Sequence, residues 1–596
     1  MNPHFTKYGY WYLTGILFLL PASWLMATLV NSFQDVNGRM LFTHAPFLKT
    51  SFTHFSYFIM LTVLVVFFIL NLLYFQKKQI DFFRILKTHA LELSFLLLAT
   101  VLVYFSVEQE LRVFADESNL AAIAKSMTYD NTVYNSTMGN YYYQDYRSFS
   151  NVTPKRPLIF PTLVAVLHTI SGYRIANIFI LNSMVLFALL SIIYFMVKTR
   201  FGLIAAISSV FLVLAQPVVS ITSSSGGFDI LSTLFALLTC IAFARYYKEQ
   251  DAFSLSILIV TFIIFANIRY ESLMYGGLML VMLLVFKRVN WLSIKQNLIL
   301  VGPIVLWLSP TIWQRILTAG TYENPDDRGV LALDSLFMDH VSGMLSSHLR
   351  FDFFLPYSPI LTFISIAVII FWVGFLVIKN QTDKAVLDVF KSPLTWFLVL
   401  CLIINLIVFL MHHNGRFDHP TSFRFYLIFS IAMSLIPITL FYFKNKNFQY
   451  SLLGLSVVLF LGYHSAAITD RSTKSLTSER IVNFVNEIID EQPNNNYMLV
   501  VDIPGRFTPQ DIAVVSLGHA KNNHHNLQRN LDTYLYQRTI VFQRVNLSTK
   551  EPIESDQLPE GYVLQELDGL KISGGEYLRA SKMLRTPKIE KEESSK

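Results

Sequence analysis

Charged residues are scarce in this chain, and their scarcity excludes most soluble architectures. Only 15% of the 596 residues are Asp, Glu, Lys or Arg, whereas 53% are hydrophobic. A soluble globular domain carries about 25% charged residues. Apolar runs long enough to cross a bilayer recur along the sequence, and basic clusters flank so many of them that a large soluble helical core is disfavoured. The sequence therefore predicts a polytopic α-helical membrane protein.

Cysteine, nucleotide-binding motifs and internal repeats are also rare or missing. Cys240 and Cys401 both lie within apolar runs, so no disulfide is predicted. No glycine-rich run precedes a Lys-Ser/Thr pair, which argues against a P-loop. The net charge of +7 is interpreted as membrane topology and contact with lipid headgroups. We therefore expect membrane lipid as a partner and no nucleic acid.

The apolar runs predict about thirteen transmembrane helices. They cover residues 12–30, 55–75, 90–107, 174–197, 203–221, 229–245, 253–269, 272–286, 297–314, 359–378, 394–411, 423–442 and 449–464. Only Tyr270-Glu271 separates two of these runs, so that pair could instead form one broken element. Segment 158–172 is apolar but contains Pro161 and is too short to span comfortably. We expect it to form a helix at the outer membrane interface.

Lysine and arginine clusters predict the orientation of these helices. They follow every second run, beginning with the second, so all of them fall on one side of the membrane. Because cytoplasmic loops carry the excess of basic residues, that side is cytoplasmic. The long polar segments 31–54, 108–158, 315–358 and 412–422 and the tail then face outward. We expect a multi-pass protein of the bacterial inner membrane with a cytoplasmic N-terminus and a periplasmic C-terminal domain.

The tail changes character and predicts a soluble domain. Apolar residues from Ile481 to Ile489 follow one helix face, and residues 497–503 are typical of a buried strand. Thr508-Pro509 indicates a helix start with Gly518 as its end, and Asp568-Gly569 indicates a hairpin turn. We predict N-terminal transmembrane helices in 1–89, a transmembrane domain in 90–465 with outer loops 108–158 and 315–358, and an outer α/β domain in 466–596.

An acidic pair, Asp116-Glu117, lies at the start of the outer loop 108–158. Residues 118–127 predict a helix with one apolar face, which would hold the two carboxylates against the membrane. A partly desolvated carboxylate can act as a general base toward a hydroxyl, whereas the simpler interpretation is a solvated pair at a helix end. Both residues are candidates for a catalytic site, Asp116 as the base and Glu117 without an assigned role.

The second half of the same loop is rich in tyrosine and ends in two cations. Tyrosine rings suit a membrane interface, but they also stack on sugar rings, so Tyr142 and Tyr146 are candidate substrate contacts. Lys155 and Arg156 could neutralise a phosphate, with arginine offering bidentate geometry. The alternative is that these two side chains snorkel toward anionic lipid.

Further charged residues adjoin later apolar runs. Arg269-Tyr270-Glu271 lies between two of them, and charges at membrane depth are functional candidates by default. A local Arg–Glu pair in an outer turn is the alternative. Arg424 and Tyr426 begin another run on the same outer face. We predict Arg269 and Arg424 as phosphate-binding residues and Glu271 and Tyr426 as substrate-binding residues.

A cluster of histidines is the remaining candidate for chemistry. His412, His413, Asp418 and His419 lie in one short outer loop and could hold a divalent metal. Helical H-x-x-x-H spacing is lacking, and outer loops often carry histidines that bind nothing. We predict no metal site, and a divalent metal is the one cofactor left open.

The outer loop 108–158 resembles a loop of a known family. It opens with Asp116-Glu117 and closes in Lys155-Arg156-Pro157-Leu158-Ile159-Phe160-Pro161, as does the first outer loop of the GT-C integral-membrane glycosyltransferases. The protein mannosyltransferase and aminoarabinose transferase branch is the most similar. The resemblance is clear over residues 110–290. In that family the loop usually follows the first span, whereas here it follows the third, so the first two helices would be an addition.

The resemblance implies a GT-C-like fold and donors that are polyprenyl- or dolichyl-phosphate sugars. Asp116 would match the family's acidic residue, and Lys155-Arg156 would match its basic element near the donor phosphate. The leading hypothesis is transfer of a sugar from a polyprenyl-phosphate donor to a hydroxyl of a glycan, lipid or protein. A flippase of lipid-linked glycans and a glycan polymerase or ligase are the alternatives.

Overall fold

The computed structural model of the protein describes residues 46–112, 114–318, 335–349, 355–379, 393–411, 417, 419, 422–470, 476–489, 493, 495–533, 535–559, 561–572 and 575–585. The predicted span 12–30, His412, His413 and Asp418 lie outside these residues. The chain divides into two compact units. A helical unit comprises Met1–Leu111, Met127–Val133 and Lys155–Ser472, and a sheet unit comprises Arg112–Ser126, Tyr134–Pro154 and Thr473–Lys596.

Helices make up most of the described chain. In order they are α1 (Pro46–Lys77), α2 (Phe82–Thr88), α3 (Ala90–Ser106), α4 (Phe114–Tyr129), α5 (Ile159–Ser171), α6 (Ala176–Phe201), α7 (Leu203–Leu214), α8 (Pro217–Ser223), α9 (Asp229–Glu249), α10 (Ala252–Ala266), α11 (Leu273–Val285), α12 (Trp291–Gln296), α13 (Val301–Thr318), α14 (Ser335–His348), α15 (Pro359–Lys379), α16 (Pro393–Met411), α17 (Leu427–Leu435), α18 (Lys446–Thr469), α19 (Thr477–Ile489), α20 (Leu517–Asn522) and α21 (His524–Thr533). The strands are β1 (Asn135–Tyr142), β2 (Asp145–Val152), β3 (Tyr497–Val500), β4 (Ala513–Val515), β5 (Arg538–Asn546), β6 (Tyr562–Lys571) and β7 (Glu576–Arg585).

The helical unit contains the candidate membrane spans, and the protein is an integral membrane protein. Within the described residues, five helical segments are long and apolar enough to cross a bilayer, and a bent pair of helices could be a sixth span. Six more apolar helices are shorter, with 10–17 residues. The predicted number of about thirteen spans is therefore not confirmed. Many apolar side chains on these helices are exposed, as lipid-facing surfaces require.

Two of the predicted runs are interrupted in the structure. The run 203–221 bends by 73° between α7 and α8, because Pro217 opens α8 and the residue before a proline is held in extended backbone. The runs around Tyr270 form a broken element, as the sequence allowed. Helix α10 ends at Ala266, and the short 3-10 turn Tyr270–Ser272 leads into α11. Such breaks leave polar backbone and side chains inside the helical unit.

The sheet unit contains one seven-stranded sheet with the strand order β2-β1-β4-β3-β5-β7-β6. Strand β3 pairs in parallel with β4 and β5, and the other strand pairs are antiparallel. All four residues of β3 are buried, as expected for a parallel strand covered on both faces. On one face, Phe484, Val485 and Ile489 of α19 pack against the sheet. The predicted apolar face of that helix is thereby confirmed.

The outer loop 108–158 contributes two strands to this sheet. β1 and β2 form an antiparallel hairpin, and Gly139 of β1 pairs with Val514 of β4. The predicted helix after the acidic pair is confirmed by α4, whose apolar residues Leu120 and Ile123 are buried. The hairpin itself was not predicted from the sequence.

Two local predictions for the tail are wrong. Thr508–Gln510 is a single 3-10 turn, because Asp511 adopts a left-handed backbone with φ of 58° that ends it. The apolar residues that follow form β4 instead of a helix. Asp568 and Gly569 lie inside β6, where Gly569 pairs with Arg579 and the register shifts by a bulge. The turn-like Asp-Gly sequence therefore lies next to a bulge within the strand. The chain reverses only after Lys571, between β6 and β7.

Candidate functional site

Two arginines of the helical unit meet on one buried carboxylate. Arg269 Nη1 lies 2.9 Å from Asp229 Oδ1, and Arg424 Nη1 lies 3.4 Å from Asp229 Oδ2. The Asp229 side chain is 2% exposed, and the two guanidinium groups are also largely buried. A buried carboxylate with two cationic partners is strongly restrained in position. The structure thus brings together two of the four predicted phosphate-binding residues.

Each of these three residues lies where a helix begins or is broken. Asp229 is the first residue of α9, so its carboxylate lies at the positive end of the helix dipole. Arg269 lies in the extended backbone between α10 and α11. Arg424 lies in the 3-10 turn Phe423–Tyr426 that precedes α17. The helix starts and breaks therefore place charged side chains in the interior of the helical unit. A continuous apolar helix would not place charges there.

Aromatic rings surround the Arg269 guanidinium. Its central carbon lies 5.1 Å from the ring centroid of Phe425, 5.2 Å from that of Phe409 and 5.6 Å from that of Phe228. Phe409 and Phe425 are themselves stacked with an interplanar angle of 8°. Cation–π contacts of this kind stabilise a desolvated guanidinium and fix its plane. Glu271 lies 3.5 Å from Arg269 Nε and remains partly exposed.

The charged cluster adjoins an apolar cavity. Asp229, Arg269, Glu271 and Arg424 line a small space of about 10 Å³, enough for roughly one water molecule. Next to it is a cavity of about 300 Å³ between α6, α9, α16 and α17, and Thr233, Tyr275 and Ile428 line both spaces. The lining of the second cavity is almost entirely apolar and includes Cys240 and Cys401. A polar end and an apolar extension together suit an amphiphilic ligand.

Lys155 and Arg156 are fixed close to the same broken element. The Tyr270 hydroxyl donates to the Lys155 carbonyl at 3.2 Å, and Gln314 Nε2 donates to the Arg156 carbonyl at 2.7 Å. Tyr270 also hydrogen-bonds to Gln314. Burial and the neighbouring Arg156 lower the pKa of Lys155. The Lys155 carbonyl is therefore hydrogen-bonded to the residue that follows Arg269, and the Arg156 carbonyl is hydrogen-bonded to the Gln314 side chain that contacts the same residue.

Asp116 and Glu117 occupy the first turn of α4 within the sheet unit. Glu117 is buried, and its Oε2 accepts a hydrogen bond from the Arg112 backbone N–H at 2.8 Å. Burial lowers the pKa of Arg506 to about 9, while Glu479 and Glu117 oppose that shift. Glu117 is thus hydrogen-bonded within the sheet unit, and its place in a catalytic site stays a prediction. Asp116 is only partly buried and stays the predicted base.

The predicted substrate-binding tyrosines differ in their surroundings. Tyr142 is exposed near the tip of the β1–β2 hairpin. Tyr146 lies on β2, where Lys125 is 4.1 Å from its ring centroid and burial raises the pKa of its hydroxyl. Tyr426 is 1% exposed and packs against Phe409 and Phe417 in an aromatic cluster. Their roles as substrate contacts stay predictions.

Sequence reasoning missed Asp229. The signal was present, because Asp229 is an acidic residue at the edge of the apolar run 229–245, and intramembrane charges are functional candidates. It was overlooked because a single charge at the end of a run resembles an ordinary helix start. In the part of the chain that the structure describes, no group of three or more His, Cys, Asp or Glu side chains could hold a metal ion. His419 lies exposed there.

Comparison with known proteins identifies one matching family. Residues 155–313 match the model of the dolichyl-phosphate-mannose-protein mannosyltransferases. The matched segment includes Lys155, Arg156, Asp229 and Arg269, but it ends before Arg424. No protein of curated function matches the sequence.

The solved structures that match this chain include three membrane transferase structures. ArnT from Cupriavidus metallidurans bound to undecaprenyl phosphate is 10% identical, with 83% of this chain and 98% of its own chain covered and a TM-score of 0.46. The apo state of the same protein is 11% identical, again with 83% of this chain and 98% of its own chain covered, and the TM-score is 0.40. The arabinosyltransferase EmbB from Mycobacterium smegmatis is 12% identical. The match covers 64% of this chain and 41% of the EmbB chain, with a TM-score of 0.31. The family match confirms over residues 155–313 the predicted resemblance to the protein mannosyltransferase branch of the GT-C glycosyltransferases.

Proposed function

We propose that this protein is a glycosyltransferase that takes its sugar from a polyprenyl-phosphate donor. One observation carries the proposal: Arg269 and Arg424 converge on Asp229 beside an apolar cavity. A lipid-linked sugar phosphate has the matching shape, with one anionic group between a sugar and a long hydrocarbon chain. The phosphate would contact the arginines, and the first isoprene units would occupy the apolar cavity. The family match supports the same class of donor.

The proposed reaction requires growing negative charge to be stabilised on the phosphate. The oxygen of an acceptor hydroxyl forms a bond to the anomeric carbon, and the bond from that carbon to the phosphate oxygen breaks. The phosphate leaves with the bonding electrons and changes from a monoanionic diester to a monoester with one more negative charge. Two fixed guanidinium groups stabilise this charge more in the transition state than in the bound donor. Inversion at the anomeric carbon follows from a single displacement.

Asp116 is the proposed acceptor of the hydroxyl proton, and Lys155 and Arg156 are proposed as further cations for the donor phosphate. The acceptor is a hydroxyl of a glycan, a lipid or a protein. Asp229 is not a base in this scheme, because both of its oxygens are engaged by arginine. Its role is to hold the two guanidinium groups in one orientation. The working face is proposed to be periplasmic in a bacterial inner membrane.

A transfer assay with the purified full-length chain tests the proposal. The donors are undecaprenyl-phosphate-linked sugars, and a cell-envelope extract supplies the acceptors. The release of undecaprenyl phosphate measures the transfer. We expect Asp116→Asn to lower the rate by about 10²–10⁴-fold, because general base catalysis contributes that much. The matched control is Asp145→Asn, an exposed aspartate of the same unit, which should retain full activity. Full activity in Asp116→Asn would remove this residue from the mechanism.

A flippase would give a different result with the same purified protein. If the protein were a flippase, labelled lipid-linked sugar would cross liposome membranes without release of free undecaprenyl phosphate. The glycosyltransferase proposal expects release of the lipid phosphate in detergent, where no second leaflet exists. Lipid movement in liposomes without any sugar transfer would overturn the proposal.

A further inference from the structure

The sheet unit contains a large cleft beside the β1–β2 hairpin. Its volume is about 910 Å³, near the upper end of the roughly 300–1,000 Å³ typical of ligand sites. The hairpin forms one wall, and α20, α21 and the chain leading into β5 form the other. All of its lining residues belong to the sheet unit. The cleft is therefore a complete site within one compact unit.

The lining of this cleft combines amides with aromatic rings. Six of its nineteen lining residues are amides, namely Asn140, Gln144, Asn495, Asn523, Asn526 and Asn530. Amide side chains both donate and accept hydrogen bonds without carrying charge. Among the described residues that line it, no Asp, Glu or Lys is present, and Arg529 and His519 are the residues able to carry positive charge. Such a lining favours a ligand with many hydroxyl groups over a highly charged one.

Exposed aromatic rings project along the hairpin wall. Tyr142 is 57% exposed, Tyr143 is 86% exposed and Phe149 is 44% exposed. Large apolar rings exposed together on one surface mark an interaction site more often than a single exposed ring does. A sugar ring presents a face of C–H groups that can lie on an aromatic ring, and its edge presents hydroxyls that both donate and accept. Rings and amides in one cleft match these two surfaces.

The turn that presents Tyr143 has an unfavourable sequence for its geometry. Strands β1 and β2 are joined by Tyr143 and Gln144 alone, which have φ angles of 48° and 72°. Two left-handed residues define a type I′ turn, in which Asn-Gly is the favoured pair. Residues other than glycine, asparagine and aspartate cost conformational energy in this turn. Tyr143 contacts the Tyr142 ring edge-on, with centroids 4.6 Å apart, but it is almost fully exposed, so burial does not account for its presence.

We propose that this cleft binds an oligosaccharide, with Tyr142, Tyr143 and Phe149 as the stacking surface and the amides as hydroxyl ligands. Naming that oligosaccharide as the acceptor of the transferase rests on the proposed function, but binding itself does not. The proposal assigns a glycan acceptor in preference to a lipid or a protein. A peptide is recognised mainly through the backbone groups of a strand edge or through charged anchors, whereas amides and aromatic rings dominate the lining of this cleft.

Oligosaccharide binding to the full-length protein in nanodiscs tests this assignment. The probes are purified tetra- to hexasaccharides of glucose, mannose, galactose, arabinose and N-acetylglucosamine, screened by saturation-transfer-difference NMR and titrated for Kd. The main variant is Tyr143→Asn with Gln144→Gly, which removes the ring while installing the favoured turn pair. We expect it to weaken binding by about tenfold or more, a loss that corresponds to about 1.4 kcal/mol. Asn526→Ala should also weaken binding.

Two controls separate loss of the ligand site from loss of structure. The turn variant should exchange the amide hydrogens of β1 and β2 no faster than the parent protein, because its turn is less strained. Gln565→Ala removes an exposed amide from β6, on the opposite edge of the sheet, and should bind every probe with unchanged Kd.

Three results would overturn the proposal. The first is that none of the probes binds, and the second is that binding is unaffected by both cleft variants. The third is that the turn variant loses binding to phosphatidylglycerol vesicles and not to glycans, which would make the rings a lipid contact. Release of undecaprenyl phosphate from the donor reports separately on the proposed function. A protein that binds glycans but does not cleave the donor would leave the cleft assignment standing.

Discussion

Replacing Arg269 by alanine is expected to lower the rate of sugar transfer by about 10²–10³-fold, the usual effect of removing one donor from a site of developing charge. Arg269 is largely buried, ion-paired with Asp229 and enclosed by aromatic rings, so another cation cannot easily replace it. The loss should appear mainly in kcat, because the leaving phosphate gains charge after the donor has bound. Steady-state transfer kinetics over a range of donor concentrations measure both parameters.

Arg245→Ala is the matched control for this change. Arg245 is also partly buried, pairs with Glu249 at 2.9 Å and lies 3.7 Å from the ring centroid of Tyr74. Its replacement removes an ion pair and a cation–π contact from α9 without touching the Asp229 cluster. Arg269→Lys should recover part of the lost activity, since lysine restores the charge without the planar fork of donors. Equal kcat values for Arg269→Ala and Arg245→Ala would contradict the role assigned to Arg269.

Replacing Asp229 by asparagine is expected to impair both stability and transfer. The change leaves two buried guanidinium groups facing each other without their shared anion, which costs roughly 3–5 kcal/mol when a buried pair is broken. Transfer should fall by about 10²-fold or more, since both arginines lose the group that orients them. Thermal unfolding of the detergent-solubilised protein and the transfer assay measure the two effects. Asp251→Asn is the control, because Asp251 also lies at a helix start, where it caps α10, and also pairs with a cation, Lys77.

A second variant distinguishes positioning from simple destabilisation. Combining Asp229→Asn with Arg424→Gln removes one of the two positive charges that repel each other in the single variant. Part of the lost stability should therefore return. Activity should not return, because the guanidinium of Arg424 is itself required. The two substitutions are therefore expected to be non-additive in stability. If the double variant regained both stability and activity, Asp229 and Arg424 would be structural residues only.

The sequence was most informative where a charge interrupts an apolar run. Arg269 and Arg424 were two of the four predicted phosphate ligands, and in the structure both pair with Asp229. Asp229 was recognisable as a charge at the edge of an apolar run, but its pairing with both arginines could not be predicted, because which helix start faces which helix break depends on packing between distant elements. Glu117 was a candidate without an assigned role, and its hydrogen bond from the Arg112 backbone N–H could not be predicted from its position beside Asp116. Its place in a catalytic site stays a prediction.

The sheet unit was predicted less completely than the helical unit, for a physical reason. Strand pairing is non-local: Gly139 pairs with Val514 across most of the chain, and no local pattern encodes that partner. The Asp568-Gly569 pair reads locally as a turn, but pairing with β7 overrides it and leaves a bulge. Local periodicity did predict α19, because an amphipathic helix displays its buried face within a few turns.

Binding of undecaprenyl phosphate to the purified protein tests the central claim most directly, since it needs neither the sugar nor the acceptor to be known. If the phosphate lies against Arg269 and Arg424 with its chain in the apolar cavity, the variant lacking both guanidinium groups should bind with a Kd raised by about 10²-fold or more. Arg245→Ala should bind as the parent protein does, and undecaprenol, which lacks the phosphate, should bind parent and variant alike. Unchanged affinity for undecaprenyl phosphate in the double arginine variant would contradict the account.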